Sequence, residues 1–237
     1  MNKIYTLFGD SIPKGIITVN GQLSKTKSVV DIIANELGIT IINKSIYGQT
    51  LQRINSKGII KQYIEEIKSN PELKYLTILA IGGNDSDYEW AQITPDNYKN
   101  HEPKTPIKDF VNILETVIAE LQKVGSEIII CTIPPVNSEK YFENILCTKY
   151  DSESILKFFG GDISNIERCQ ERYSSQLMET ALKMNCRLID LRSDFLMQKN
   201  YLDYMCDDGI HPNELGHQFM AKQILNHLKN DKLTSKI

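Results

Sequence analysis

Four short strings in this 237-residue chain bring together the residue types that acyl transfer requires. They are Gly9-Asp10-Ser11, a segment ending Ile46-Tyr47-Gly48, Gly82-Gly83-Asn84-Asp85, and Asp208-Gly209-Ile210-His211. A serine hydroxyl is a poor nucleophile near neutral pH. It needs a base within hydrogen-bond reach, a group that orients the base, and donors for the developing oxyanion. Ser11 supplies the hydroxyl and His211 an imidazole. Asp208, three residues before His211, can hold its Nδ1–H across the Gly209 turn. Gly48 lets a backbone N–H approach a substrate with no Cβ in the way. Asn84 offers a neutral side-chain donor. Together these residues predict a Ser-His-Asp system with a three-donor oxyanion hole.

Taken singly, each string has an ordinary reading. Gly-Asp-Ser and Asp-Gly mark turns, and Asn84-Asp85 fits an Asx turn after a strand. Pro212 can simply start a helix. Of the four histidines, His217 and His227 fall in the last helix, where a structural role is expected, and His101 lies in a polar loop. The conjunction carries the assignment, because the strings recur at equivalent places in the chain.

Those places are set by five near-continuous apolar runs at 4–8, 39–42, 76–81, 128–133 and 188–191. Unbroken apolar runs are how strands buried on both faces of a parallel sheet read. Candidate helices lie between and after them, near 27–37, 51–69, 106–124, 164–184 and 213–229. Thr105-Pro106 is expected as N-cap plus first helical position, and Ser164 to Glu167 as a capping box. This alternation predicts an α/β fold with helices on both sheet faces. Ligands of such sheets bind beyond the carboxyl ends of the strands, which is where the first three strings fall, with the fourth between the last strand and the last helix.

Two segments break the rhythm. Residues 16–23 read as a hairpin around Asn20-Gly21. Residues 134–163 form a long excursion rich in Tyr and Phe, expected to be functional. Tyr88, Trp90, Tyr141 and Phe142 are candidate substrate-pocket residues, with a satellite core or a subunit contact as the competing reading.

The four strings resemble the sequence blocks of the SGNH hydrolases, also called the GDSL esterase/lipase family. Gly9-Asp10-Ser11-Ile12 resembles the nucleophile block, with Ile12 where leucine is usual. Gly48 falls at the second-block glycine, Gly82-Gly83-Asn84-Asp85 at the G-x-N-D block, and Asp208-Gly209-Ile210-His211 at the D-x-x-H block. Segments 82–90, 141–142 and 210–216 are similar to a bacterial cytosolic subgroup. The resemblance implies Ser11 as nucleophile, His211 as base and Asp208 as its orienter. It implies an oxyanion hole of Ser11 N–H, Gly48 N–H and the Asn84 side chain. It further implies a three-layer α/β/α sandwich with a flavodoxin-like five-stranded parallel sheet ordered 2-1-3-4-5. One domain over 1–237 is then expected, with the 134–163 excursion near the site.

The expected chemistry is hydrolysis of a small-molecule ester, with a short acyl or acetyl group on a small molecule or sugar, through an acyl-serine. Two rivals stand beside it, acyl transfer to an alcohol on the same residues and a non-catalytic ligand-binding module on the same fold. No metal or cofactor is expected, since no H-E-x-x-H, G-x-G-x-x-G or P-loop string occurs. A G-x-S-x-G elbow is also missing.

Composition narrows the partners. With 27 Lys+Arg against 30 Asp+Glu there is no basic excess for nucleic acid. The five scattered cysteines (131, 147, 169, 186, 206) form no C-x-x-C pair, and Cys131 and Cys186 read as small buried hydrophobes. No run approaches the ~18 apolar residues of a membrane span. The apolar start of the chain is too short for a secretory signal, so the cytoplasm is the expected compartment. Oligomeric state is left open.

Overall fold

The computed structural model describes residues 3–234, with side chains through residue 229. Strands β1 (Lys3–Gly9), β4 (Ile41–Asn43), β5 (Lys74–Ala80), β6 (Glu127–Cys131) and β7 (Arg187–Ile189) form one sheet in the order β4-β1-β5-β6-β7. All four neighbouring pairs are parallel. Numbered by their sequence among sheet strands, this is the 2-1-3-4-5 order implied by the resemblance. β1 and β5 pair along their whole length, from Lys3 opposite Lys74 to Gly9 opposite Ala80. β2 (Ile16–Val19) and β3 (Gln22–Lys25) form the expected hairpin, with Asn20 and Gly21 both at positive φ.

Successive strand side chains point to opposite faces, so each strand feeds two cores. Phe8 packs on one face with Tyr63, Phe110, Leu114, Tyr173 and Leu177. Its neighbour Leu7 packs on the other with Val30, Ile33, Phe195 and Met220. The first face is covered by α2 (Leu51–Ser56), α3 (Ile59–Lys68), α4 (Ile107–Lys123) and α8 (Asn165–Lys183). The second is covered by α1 (Val29–Leu37), α9 (Leu191–Leu196) and α10 (Glu214–Thr234). Among the described residues no helix is long and apolar enough to cross a membrane. All five cysteines are free thiols; Cys131 is buried as expected and Cys186 only half-buried.

Phe110 is fully buried and also packs where a Cβ on Gly82 would sit. Replacing it with alanine is expected to cost about 3–5 kcal/mol through lost transfer energy and the cavity left behind. A lower urea midpoint at unchanged slope would show this.

Several local expectations need correction. The helix expected over 51–69 is two, broken at Lys57-Gly58. Leu191 begins α9 instead of ending β7, because the Asp190 side chain accepts the Ser193 N–H and starts a helix there. Thr105 does not cap α4; Pro106 holds that place without a side-chain bond. Ser164 makes no cap bond to α8 either, and its hydroxyl donates to Asp162 at 2.6 Å. A reciprocal capping box does occur at α1, between Ser28 and Asp31.

The 134–163 excursion is built of short helical pieces. They are α5 (Ser138–Tyr141), a π-helical turn (Phe142–Leu146), α6 (Cys147–Lys149) and α7 (Ser152–Phe158). These pieces enclose a third apolar cluster holding Trp90, Val136, Tyr141, Leu146 and Ile155.

Candidate active site

The carboxyl ends of β1 and β5 lie side by side, so the segments that follow them share one edge of the sheet. Gly9 ends β1 in a crowded place. A Cβ there would lie 2.3 Å from the Pro13 ring and 3.0 Å from the Ala80 carbonyl oxygen. Asp10 then accepts the Ile12 N–H at 3.0 Å, a tight turn that leaves Ser11 at its bend.

His211 comes from the loop before α10. Its Nε2 lies 2.9 Å from Ser11 Oγ, and its Nδ1 lies 2.7 Å from Asp208 Oδ2. Asp208 Oδ1 accepts the backbone N–H groups of Ile210 and His211, each at 2.9 Å. All three side chains are buried. Burial alone would push the Asp208 carboxyl up. The hydrogen bonds and charge of His211, together with the Thr18 hydroxyl, outweigh it and bring the group down to about 2. Asp207, the neighbouring carboxylate, faces away and pairs with Lys140 at 3.0 Å.

The other two strings border the same cleft. It has a volume of about 530 Å³ and is lined by Ser11, Gly48, Asn84 and His211 among others. Gly48 has φ +67°, and nothing lies within 4 Å of where its Cβ would be. The backbone conformation, more than steric room, therefore calls for glycine there. Its carbonyl accepts from Arg53 Nη1 at 3.2 Å. Asn84 Nδ2 donates to Asp10 Oδ2 at 3.3 Å.

Two buried carboxylates support this floor. Asp10 is pushed up to about 6 by burial, against the Ile12 N–H, the His211 charge and the Asn84 amide. Asp85 is likewise raised to about 6 by burial, opposed by the Thr105 hydroxyl and the N–H groups that begin α2. Thr105 donates to it at 2.6 Å, and Leu51 N–H donates at 3.0 Å. Asp85 thus ties the third string to the helix that follows Gly48.

The aromatic candidates divide. Tyr88, Trp90 and Tyr141 line the cleft, and Phe142 does not. Phe142 sits on the π-helical turn and packs against the third apolar cluster. Trp90 and Tyr141 are themselves buried there. The Trp90 indole N–H donates to Tyr141 at 2.9 Å and to Asp87 at 2.8 Å.

Three features had no sequence signal. Thr18, on β2, donates its hydroxyl to Asp208 Oδ2. The Tyr47 ring, half-exposed, stacks over His211 at a 6.5 Å centroid distance. The excursion is bonded to the His211 loop through Asn137 N–H to the Gly209 carbonyl at 2.8 Å and Asn144 to the Asp207 carbonyl at 2.6 Å. Among the described residues no group of three His, Cys, Asp or Glu is arranged to hold a metal ion.

Chemically, the arrangement can move a proton from Ser11 to His211 while a carboxylate steadies the imidazolium. Comparisons with known proteins fit that chemistry. A family model described as GDSL-like Lipase/Acylhydrolase matches residues 5–224. GDSL esterase/lipase WDL1 of Oryza sativa subsp. japonica is 22% identical over 233 residues, covering 95% of this chain and 77% of that protein. GDSL esterase/lipase At2g38180 of Arabidopsis thaliana is 26% identical over 158 residues, covering 65% of this chain. The chain spans 44% of At2g38180 and 54% of a second Arabidopsis relative, about half of each. Among solved structures, the lipase/acylhydrolase from Enterococcus faecalis superposes with a TM-score of 0.61 at 19% identity, over 98% of this chain and 97% of that one. Axe2, an acetylxylan esterase from Geobacillus stearothermophilus, gives 0.64 at 17% identity, over 95% and 93%. At these identities the two structures show the fold.

Proposed function

Because the chain belongs to the GDSL-like lipase/acylhydrolase family, we propose that it hydrolyses carboxylic esters through an acyl-Ser11 intermediate. The observation that supports this most is the unbroken chain from Ser11 Oγ through His211 to Asp208, at 2.9 and 2.7 Å. His211 Nε2 takes the Ser11 proton as Oγ attacks the ester carbonyl. The same nitrogen returns a proton to the leaving alcohol as the tetrahedral intermediate collapses. A water then attacks the acyl-enzyme with His211 again as base, and the acid and free Ser11 result. Asp208 stays ionised throughout and holds Nδ1–H.

The oxyanion would meet Ser11 N–H, Gly48 N–H and the Asn84 amide. An amide nitrogen carries two N–H groups. With one held by Asp10, the other is left for the substrate oxygen. Asn84→Ala is expected to lower kcat by about 10²–10³-fold with little change in KM, because the lost donor acts on charge that develops only in the transition state. Steady-state kinetics on p-nitrophenyl acetate would measure it.

The cleft offers polar groups that suit a polar alcohol. Gln52, Arg53, Glu89 and Lys149 border it, with the exposed Tyr47 and Tyr150 rings. Its apolar lining comes from Ile12, Ile133, Val136, Ile145, Ile166 and Ile210, with the rings of Tyr88, Trp90 and Tyr141, and gives an acyl group an apolar wall. Acetylated or short-acylated sugars fit this division, and acetylxylan esterases are among the structural neighbours. We treat 1–237 as one domain, with the excursion as a wall of the site.

An ester panel from acetyl to long-chain p-nitrophenyl esters, plus acetylated sugars, tests the reading on wild type and Ser11→Ala. Short-chain turnover that needs Ser11 supports it. If wild type turns over none of the panel and a serine-reactive phosphonate leaves Ser11 unlabelled, the protein is a binding module. Ester product in place of free acid when glycerol is added would make it a transferase.

A further inference from the structure

We propose that Thr18, on the hairpin that follows the nucleophile, is a positioning residue for the Ser-His-Asp system, holding by its hydroxyl the Asp208 oxygen that also takes the His211 Nδ1–H. This rests on the acyl-Ser11 reading and extends it to a residue outside the four family blocks.

The bonding around Asp208 motivates the assignment. A carboxylate offers about four lone-pair sites. At Asp208 four donors fill them: the N–H groups of Ile210 and His211 on Oδ1, and Thr18 and His211 Nδ1 on Oδ2. The carboxylate is 3% exposed, so water does not readily replace a lost partner. Without the Thr18 hydroxyl, Oδ2 keeps only the imidazole, and the carboxylate is anchored from its Oδ1 side alone, by the Ile210 and His211 N–H groups. The oxygen that takes Nδ1–H is then less firmly placed, and with it the aim of Nε2 at Ser11.

The hairpin is built to deliver that hydroxyl. β2 and β3 are not strands of the main sheet, and all four residues of β3 are exposed. Ile17 of β2 is the hairpin's one buried apolar side chain, so packing accounts for little of the detour. Its base is stitched beside the nucleophile by Ile16 N–H to the Ser11 carbonyl at 3.0 Å and Thr26 N–H to the Gly15 carbonyl at 2.9 Å. A second tie, Thr18 N–H to Cys206 Sγ at 3.3 Å, fixes β2 against the His211 loop. One short segment therefore carries both the attacking hydroxyl and the clamp on the carboxylate.

The test compares Thr18→Val and Thr18→Ser with wild type in the full chain, with Ser11→Ala as the blank. Valine keeps the branched shape and strand preference but has no hydroxyl. T18V is expected to lower kcat about tenfold with KM within about twofold, as losses of residues that orient a reacting group do. An Asp208 freed of one donor holds the imidazolium more strongly. The acidic limb of the kcat/KM profile should therefore move up by about half a pH unit. The other titratable groups facing the pair are Asp10, Tyr47, Cys206 and His217, with Asp207 and Lys140 paired to each other beyond Cys206, and none of them is replaced in any variant. T18S should restore both kcat and the limb. Wild-type kcat and an unmoved limb in T18V overturn the proposal. So does a fall in kcat with an unmoved limb, which marks a merely structural residue. Should T18V lose its native circular dichroism, Thr18→Ala against T18S makes the same hydroxyl comparison. If wild type itself shows no Ser11-dependent turnover, the hydrolase reading fails first; if it does and T18V matches it, only the role of Thr18 fails.

Discussion

Replacing Ser11 with alanine is expected to lower kcat on a short p-nitrophenyl ester by roughly 10⁶-fold, as loss of the nucleophile does in serine hydrolases. The hydroxyl is small and its bond is with His211 at 2.9 Å, so the fold has little to lose. Thermal unfolding should occur within a few degrees of wild type. Residual turnover should remain about 10³–10⁴-fold above water, from the oxyanion donors and substrate binding alone. A phosphonate probe should label wild type at Ser11 and leave the variant unlabelled. Retention of more than about one per cent of activity would place the nucleophile elsewhere, because only the Ser11 hydroxyl is bonded to the His211 base.

The second large effect is expected at Asp208. Asp208→Asn should lower kcat by about 10⁴-fold while the loop keeps its shape. The reason lies in the two oxygens. The asparagine carbonyl oxygen can still accept the Ile210 and His211 N–H groups that hold the turn. Its NH₂ then faces His211 Nδ1 and offers a proton where one must be accepted. The imidazole is driven to the wrong tautomer, with Nε2–H directed at Ser11, and cannot act as base. The pH dependence of stability is a second readout. A carboxyl held at about 2 when folded adds stability that is full above its unfolded value near 3.8 and is lost as pH falls through 2. The variant lacks this contribution, on the order of 2 kcal/mol. Urea midpoints of wild type and variant should therefore differ at pH 6 and converge between pH 4 and 2. A variant with near wild-type kcat would show that His211 needs no anionic partner.

Much of the site was legible because its parts lie at strand ends, where a local string and a local apolar run coincide. Ser11 and Asn84 are of this kind, and the Asp208–His211 pair was legible from its spacing just before the last apolar helical stripe. The strand order was not legible in the runs themselves, since periodicity carries no neighbour information, and came from the family resemblance. The cap assignments failed through competition. The Thr105 hydroxyl is turned to donate to the buried Asp85 carboxylate, which has no water to replace it, and Pro106 takes the cap position without a side-chain acceptor. Glu167 is taken by Ser138, whose N–H and hydroxyl donate to it at 2.9 and 2.8 Å, so no box forms at Ser164. Thr18 left no trace because its partner lies 190 residues away. The aromatics could be read only as a group. Phe142 and Tyr141 are adjacent in sequence, but only Tyr141 lines the cleft.

The 200-residue separation between Ser11 and His211 also orders events in time. A ribosome adding about 5–20 residues per second needs roughly 10–40 s to travel between them. Through that interval the nascent chain holds a serine with no base, and β1 and β5 can pair before the last loop exists. Esterase activity would thus appear only after the His211 loop has been made and has docked, which makes turnover in a translation reaction a clock for that docking.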